Sequence, residues 1–123
     1  MTVYGIVIAS HVAEIAEGTK KLVEQVASNV PVTIAGGLPD DGIGTSIETI
    51  QSAIEKNPAD EILAFYDIGS AKMNLEVCCE LVDKKVQIFD CPIVEGTYSA
   101  AALVEVGVSI DEIQKQLQAL VIK

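Results

Sequence analysis

The 123-residue chain contains no arginine and no tryptophan, only 4% aromatic residues and a single histidine. Each shortage narrows the chemistry. Without arginine there is no planar fork for bidentate phosphate recognition, so any phosphate must be held by backbone N–H groups, hydroxyls or one of the eight lysines. A formal net charge of -10 repels nucleic acid and anionic membrane surfaces, which argues against both as partners. Three cysteines, Cys78, Cys79 and Cys91, lack CxxC spacing and are odd in number, so they read as reduced thiols. With one histidine there is no complete zinc ligand set, and no metal is expected. The chain has no apolar run of transmembrane length and no basic signal-peptide region, so a soluble cytoplasmic protein is expected.

What is present is a hydrophobic half (50%) rich in Ala, Val and Ile, enough for one domain spanning residues 1–123. Apolar runs alternate with helical periodicity. Strands are expected at Val3–Ala9, Val30–Ala35, Ile62–Tyr66 and Val86–Phe89. Between them lie helices marked by Val12, Ile15, Ala16, Leu22, Val23 and Val26, by Ile47, Ile50 and Ile54, and by Met73, Val77, Cys78, Leu81 and Val82. The Met73 to Val82 stripe reads as core. An Ala-rich helix over Val94–Val106 and a last helix through Ile113, Leu117 and Leu120 complete the chain. Thr45 with Glu48, and Ser109 with Glu112, have capping-box spacing. The pattern β-α-β-α-β-α-β-α-α implies an α/β fold, a single open parallel sheet with right-handed crossovers and helices on both faces. The expected strand order is 2-1-3-4, with the switch point between strands 1 and 3.

His11 and Asp67 follow those two strands, at the edge where open α/β sheets build ligand sites. An imidazole there suits nucleophilic or acid–base work, and a carboxylate beside it can fix the tautomer. The plainer alternatives are an incidental histidine and a helix-capping aspartate. Gly36-Gly37 and Gly69-Ser70 end strands 2 and 3 and are candidates to present N–H groups to an anion, with Thr45 and Ser46 adding hydroxyls. The alternative for Gly36–Gly44 is an ordinary flexible loop. Ile43-Gly44 stands where a P-loop needs Lys-Ser/Thr, so the site fits a small phosphoryl group better than a nucleotide. Lys72 reads either as a counter-charge to phosphate or as a solvated lysine. Glu14 and Glu17 read as outer-face charge.

Together, Ile8-Ala9-Ser10-His11, Ala35-Gly36-Gly37, Gly44-Thr45-Ser46, Tyr66-Asp67-Ile68-Gly69-Ser70-Ala71 with Met73-Asn74, and Pro92-Ile93-Val94-Glu95-Gly96 carry a resemblance. The chain resembles the phosphohistidine subunit (DhaM type) of phosphoenolpyruvate-dependent dihydroxyacetone kinase, whose fold is that of the mannose-type IIA domains of the phosphotransferase system. Some members append HPr-like and enzyme-I-like domains, and this chain resembles the short form. The resemblance implies that His11 accepts a phosphoryl group from phospho-HPr. It also implies that the acceptor is ADP held by a partner subunit (DhaL type), with no cofactor bound by this chain. A homodimer is implied too, and Thr97–Val106 is a candidate interface that core packing explains equally well. The rival readings are a mannose-type IIA component of a sugar-transport system and a non-enzymatic flavodoxin-like binding domain.

Overall fold

A computed structural model describes residues 4–122. Four strands, β1 (Tyr4–Ser10), β2 (Val32–Gly36), β3 (Glu61–Tyr66) and β4 (Lys85–Phe89), form one all-parallel sheet in the order β2-β1-β3-β4. The expected order is therefore observed. Val3, the expected first strand residue, lies outside the described residues.

Register explains why β1 and β3 are apolar throughout. Successive side chains leave a strand on opposite faces. Ile6 and Ile8 of β1, with Leu63 and Phe65 of β3, enter one core together with Ala16, Val23, Ala100, Ala101, Ile113 and Leu117. Val7 and Ala9, with Ile62, Ala64 and Tyr66, enter the other, with Ile50, Ala53, Ile54, Leu75 and Cys78. Helices α1 (Ala13–Val23), α4 (Ile93–Glu105) and α5 (Ile110–Gln118) thus cover the first face, and α2 (Ile47–Lys56) and α3 (Gly69–Leu81) the second. A central strand between two covered faces has no polar side to show.

Two helical faces differ from the expectation. In α1 the buried residues are Ala16, Thr19 and Val23, whereas Ile15 and Leu22 are more than 40% exposed. Thr19 sits on the inner face because its hydroxyl donates to the Ile15 carbonyl at 2.7 Å, which removes the cost of burying it. In α3 the expected core stripe is split: Cys78 is buried and Val82, just past the helix, packs against the core, but Met73, Val77 and Leu81 are 67%, 43% and 53% exposed. The inner stripe is Ala71, Leu75 and Cys78. Both stripes have helical spacing, so periodicity cannot choose between them, and the small Ala71 is what lets the helix lie close to the sheet.

Two local expectations also shift. The cap of α2 is Ser46, whose hydroxyl accepts from the Thr49 N–H at 3.1 Å, and not Thr45. Ser109 does cap α5, accepting from the Glu112 N–H. In the candidate interface, Thr97, Ala100 and Ala101 are buried in the chain's own core, so that face of α4 is already occupied.

Candidate active site

Parallel pairing sets Ala9 of β1 opposite Tyr66 of β3. The residues that leave these strands are therefore neighbours in space although 56 positions apart: the Asp67 carboxylate lies 2.9 Å from His11 Nδ1. Its other partners come from both strand ends. Oδ2 accepts from the Ser10 hydroxyl at 2.9 Å and from the His11 backbone N–H at 3.0 Å, and Oδ1 accepts from the Ile68 N–H at 2.7 Å. Burial alone would raise the pKa of this carboxyl. The bonds from the His11 N–H, the His11 side chain, Ser10 and Ile68 outweigh it and hold Asp67 below the usual carboxylate range.

An ionised carboxylate can only accept, so Nδ1 carries the proton in this pair. In the neutral ring Nε2 is then left with its lone pair. Nε2 lies 2.6 Å from the Ser70 hydroxyl, near the outer surface, with the His11 side chain 16% exposed. Ser70 stands in the first turn of α3. There its own N–H and that of Gly69 have no acceptor within the helix. The imidazole is thus gripped at one nitrogen by a fixed anion, and its other nitrogen faces a hydroxyl at a helix N-terminus. Such a ring can form a covalent bond at Nε2 while Asp67 offsets the charge it gains.

The other expected site residues surround this centre in supporting roles. Gly37 adopts φ +74 and its N–H is taken by the Ser10 carbonyl at 3.0 Å, so it is not available to an anion. Gly36 pairs opposite Ser10 in the sheet, and a Cβ on it would lie 2.8 Å from Ala16 Cβ and 2.9 Å from Ala13 Cα. These glycines are demanded by backbone conformation and by the close approach of α1. The loop that follows is tied rather than loose. Gly44 N–H donates to the His11 carbonyl, Leu38 N–H to the Gly42 carbonyl and Gly42 N–H to the Asp40 side chain. The Thr45 hydroxyl accepts from the Asn74 side chain at 2.7 Å and Ser46 caps α2, so both fasten the loop to α2 and α3.

Lys72 is not turned to the imidazole, and its side chain stays about one-third exposed. It forms an ion pair with Asp90 at 2.9 Å. Asp90 also accepts from the Tyr66 hydroxyl at 2.5 Å, and burial together with that bond raises the Tyr66 pKa. Sequence reasoning missed Asp90 and the part Ser10 plays. The signal for Asp90 was present: it leaves β4 as Asp67 leaves β3. Glu14 and Glu17 are exposed. Among the described residues no group of three or more His, Cys, Asp or Glu is placed to hold a metal ion, and no helix is long and apolar enough to cross a membrane.

Comparisons with known proteins agree on one relationship. Residues 5–114 match the EIIA-man family, described as the PTS system fructose IIA component. The chain is 48% identical over 120 residues to the phosphotransferase subunit DhaM of a PTS-dependent dihydroxyacetone kinase from Lactococcus lactis, covering 98% of each chain. It is 42% identical over 120 residues to the phosphoryl donor subunit DhaM of PEP-dependent dihydroxyacetone kinase 1 from Listeria innocua, covering 98% of this chain and 97% of that one. Among solved structures, a crystal structure of a protein of unknown function superposes with a TM-score of 0.86 at 26% identity, covering 99% of this chain and 98% of that one.

Proposed function

The chain belongs to the EIIA-man family and, within it, to the DhaM phosphotransferase subunits of dihydroxyacetone kinase, and from that premise we propose that it is a phosphoryl carrier with His11 Nε2 as the carrying atom. The observation that carries this reading is the two-sided hold on the imidazole, Nδ1 on Asp67 and Nε2 on Ser70.

The donor is phospho-HPr. The Nε2 lone pair attacks phosphorus, the donor's P–N bond breaks, and its electron pair returns to the donor imidazole. His11 keeps its Nδ1 proton throughout, so its ring becomes cationic as the new N–P bond forms. Asp67, already ionised and fixed by Ser10 and Ile68, offsets that charge without having to move. The Ser70 hydroxyl and the first-turn N–H groups of Gly69 and Ser70 supply hydrogen bonds to the phosphoryl oxygens. Gly36, Gly37, Thr45 and Ser46 hold this frame from outside. In the second half-reaction an oxygen of ADP attacks phosphorus, the N–P bond breaks, and the pair returns to Nε2. The ADP is carried by a DhaL-type subunit, since this chain has no Walker lysine and no arginine to hold it. The ATP so formed then serves dihydroxyacetone phosphorylation. The setting is cytoplasmic.

The homodimer implied by the family needs a face other than the buried one of α4. The outward stripe Met73, Val77 and Leu81 of α3 is where we place it. Discharge kinetics test the reading. The phosphorylated protein should lose its phosphoryl group quickly to partner-bound ADP and slowly to free ADP. Rapid loss to free ADP, or micromolar nucleotide binding by this chain alone, would overturn it.

A further inference from the structure

The Ser70 hydroxyl occupies the space that a phosphorus atom on Nε2 would need. At 2.6 Å from Nε2 it lies within the reach of a bonded phosphoryl group, so the resting contact and the N–P bond exclude each other. Because Asp67 holds the proton on Nδ1, the partner of the Nε2 lone pair in the neutral ring is the Ser70 O–H, acting as donor. We propose that Ser70 gates the nucleophile: at rest its hydroxyl covers the Nε2 lone pair, and transfer requires it to turn aside and pass its hydrogen bond to the incoming phosphoryl group.

The local structure permits that turn. Ser70 is the second residue of α3, with no preceding helical turn for its side chain to strike, and it is exposed. One staggered step about Cα–Cβ moves Oγ by roughly 2 Å, enough to clear Nε2 and remain beside the phosphoryl oxygens. A bare imidazole at the surface would react with any electrophile that met it. The hydroxyl cover slows such reactions and gives way most readily to a partner that offers Ser70 a better acceptor, as the three oxygens of a phosphoryl group do. The covering half of this inference rests on geometry alone. The hand-over half rests on the phosphoryl-carrier reading.

The test compares Ser70→Val with Ser70→Thr, side chains of equal shape of which only threonine keeps the hydroxyl. Diethyl pyrocarbonate is the probe. Nε2 attacks one of its carbonyls, an N–C bond forms, monoethyl carbonate leaves, and the Nδ1 proton is lost to solvent. His11 is the only histidine, so the ultraviolet absorbance of the carbethoxylated ring reports this site alone. The valine variant should react about three- to tenfold faster than the threonine variant and the parent chain, the effect of one net hydrogen bond. Equal rates for the two variants overturn the gate. In the phosphorylated state the valine variant lacks the hydroxyl that makes the hand-over: its label should hydrolyse faster than label on the threonine variant, and equal lifetimes overturn the hand-over. If none of the three proteins takes up label, the carrier reading fails, while the reagent comparison still decides the covering contact.

Discussion

Replacing Asp67 by asparagine keeps the shape at the centre of the site and removes its charge. The structure sets what that costs. The carboxylate accepts from the Ser10 hydroxyl, two backbone N–H groups and His11 Nδ1. An amide has one acceptor oxygen, so its NH2 must face either the His11 N–H or the Ile68 N–H, donor against donor. Leaving a part-buried donor unpaired costs about 1–3 kcal/mol of stability. The same substitution removes the anion that offsets the developing positive ring. A charge-assisted hydrogen bond of this kind contributes about 1.5–3 kcal/mol, which slows phosphoryl uptake by about ten- to 150-fold. Rapid-quench measurement of label transfer from phospho-HPr to the Asp67→Asn protein, with circular dichroism to show that it is folded, reads both effects. Transfer within twofold of the parent chain would refute the assignment and leave Asp67 a structural cap. The acid dependence follows from the same bonds. The folded-state pKa of Asp67 lies below its unfolded value of 3.8, so its stabilising contribution is fully present above about pH 4 and is lost as the pH falls through the folded-state pKa.

Other substitutions separate packing from chemistry. Gly36→Ala would press a methyl group onto Ala13 and Ala16, and chemical denaturation should show a loss of about 1–3 kcal/mol; an unchanged midpoint would contradict the close approach of α1. On α3, Leu75→Ala should cost about 2–5 kcal/mol, as expected for a fully buried leucine. Glu80→Ala, exposed on the same helix and outside the stripe given to the dimer, should stay within about 0.5 kcal/mol, and equal losses for the two would show that the helix faces are assigned wrongly. Lys72→Met should change stability by less than about 1 kcal/mol, because its pair with Asp90 is about one-third exposed; a larger loss would mean that Lys72 does more than pair with Asp90.

Much of the architecture was legible in the sequence because the strands are short apolar runs bounded by turn residues. Their alternation with helices leaves few parallel topologies. The juxtaposition of His11 and Asp67 was legible for the same reason: strand order alone puts the ends of β1 and β3 side by side. What escaped was the choice between competing surfaces. Met73, Val77 and Leu81 are as apolar and as regularly spaced as Ala71, Leu75 and Cys78, and only packing against the sheet distinguishes them. Gly36 and Gly37 look like an anion cradle in the sequence. The positive φ of Gly37 and the contact of Gly36 with α1 follow from how the strand end packs against a helix, which spacing alone does not show. The capping residue of α2 was displaced by one position because Thr45 and Ser46 are chemically alike, and Asn74 takes the first of them.

The central claim is that one nitrogen of one residue carries the phosphoryl group. Its direct test is incubation of the parent chain and of His11→Ala with radiolabelled phosphoenolpyruvate, enzyme I and HPr. The parent chain should take up a single acid-labile, base-stable label, with the phosphorus bonded to Nε2 by nuclear magnetic resonance, and the folded alanine variant should take up none. Label on the alanine variant at the parent level, or a label on Nδ1 with the Asp67 bond broken, would contradict the account.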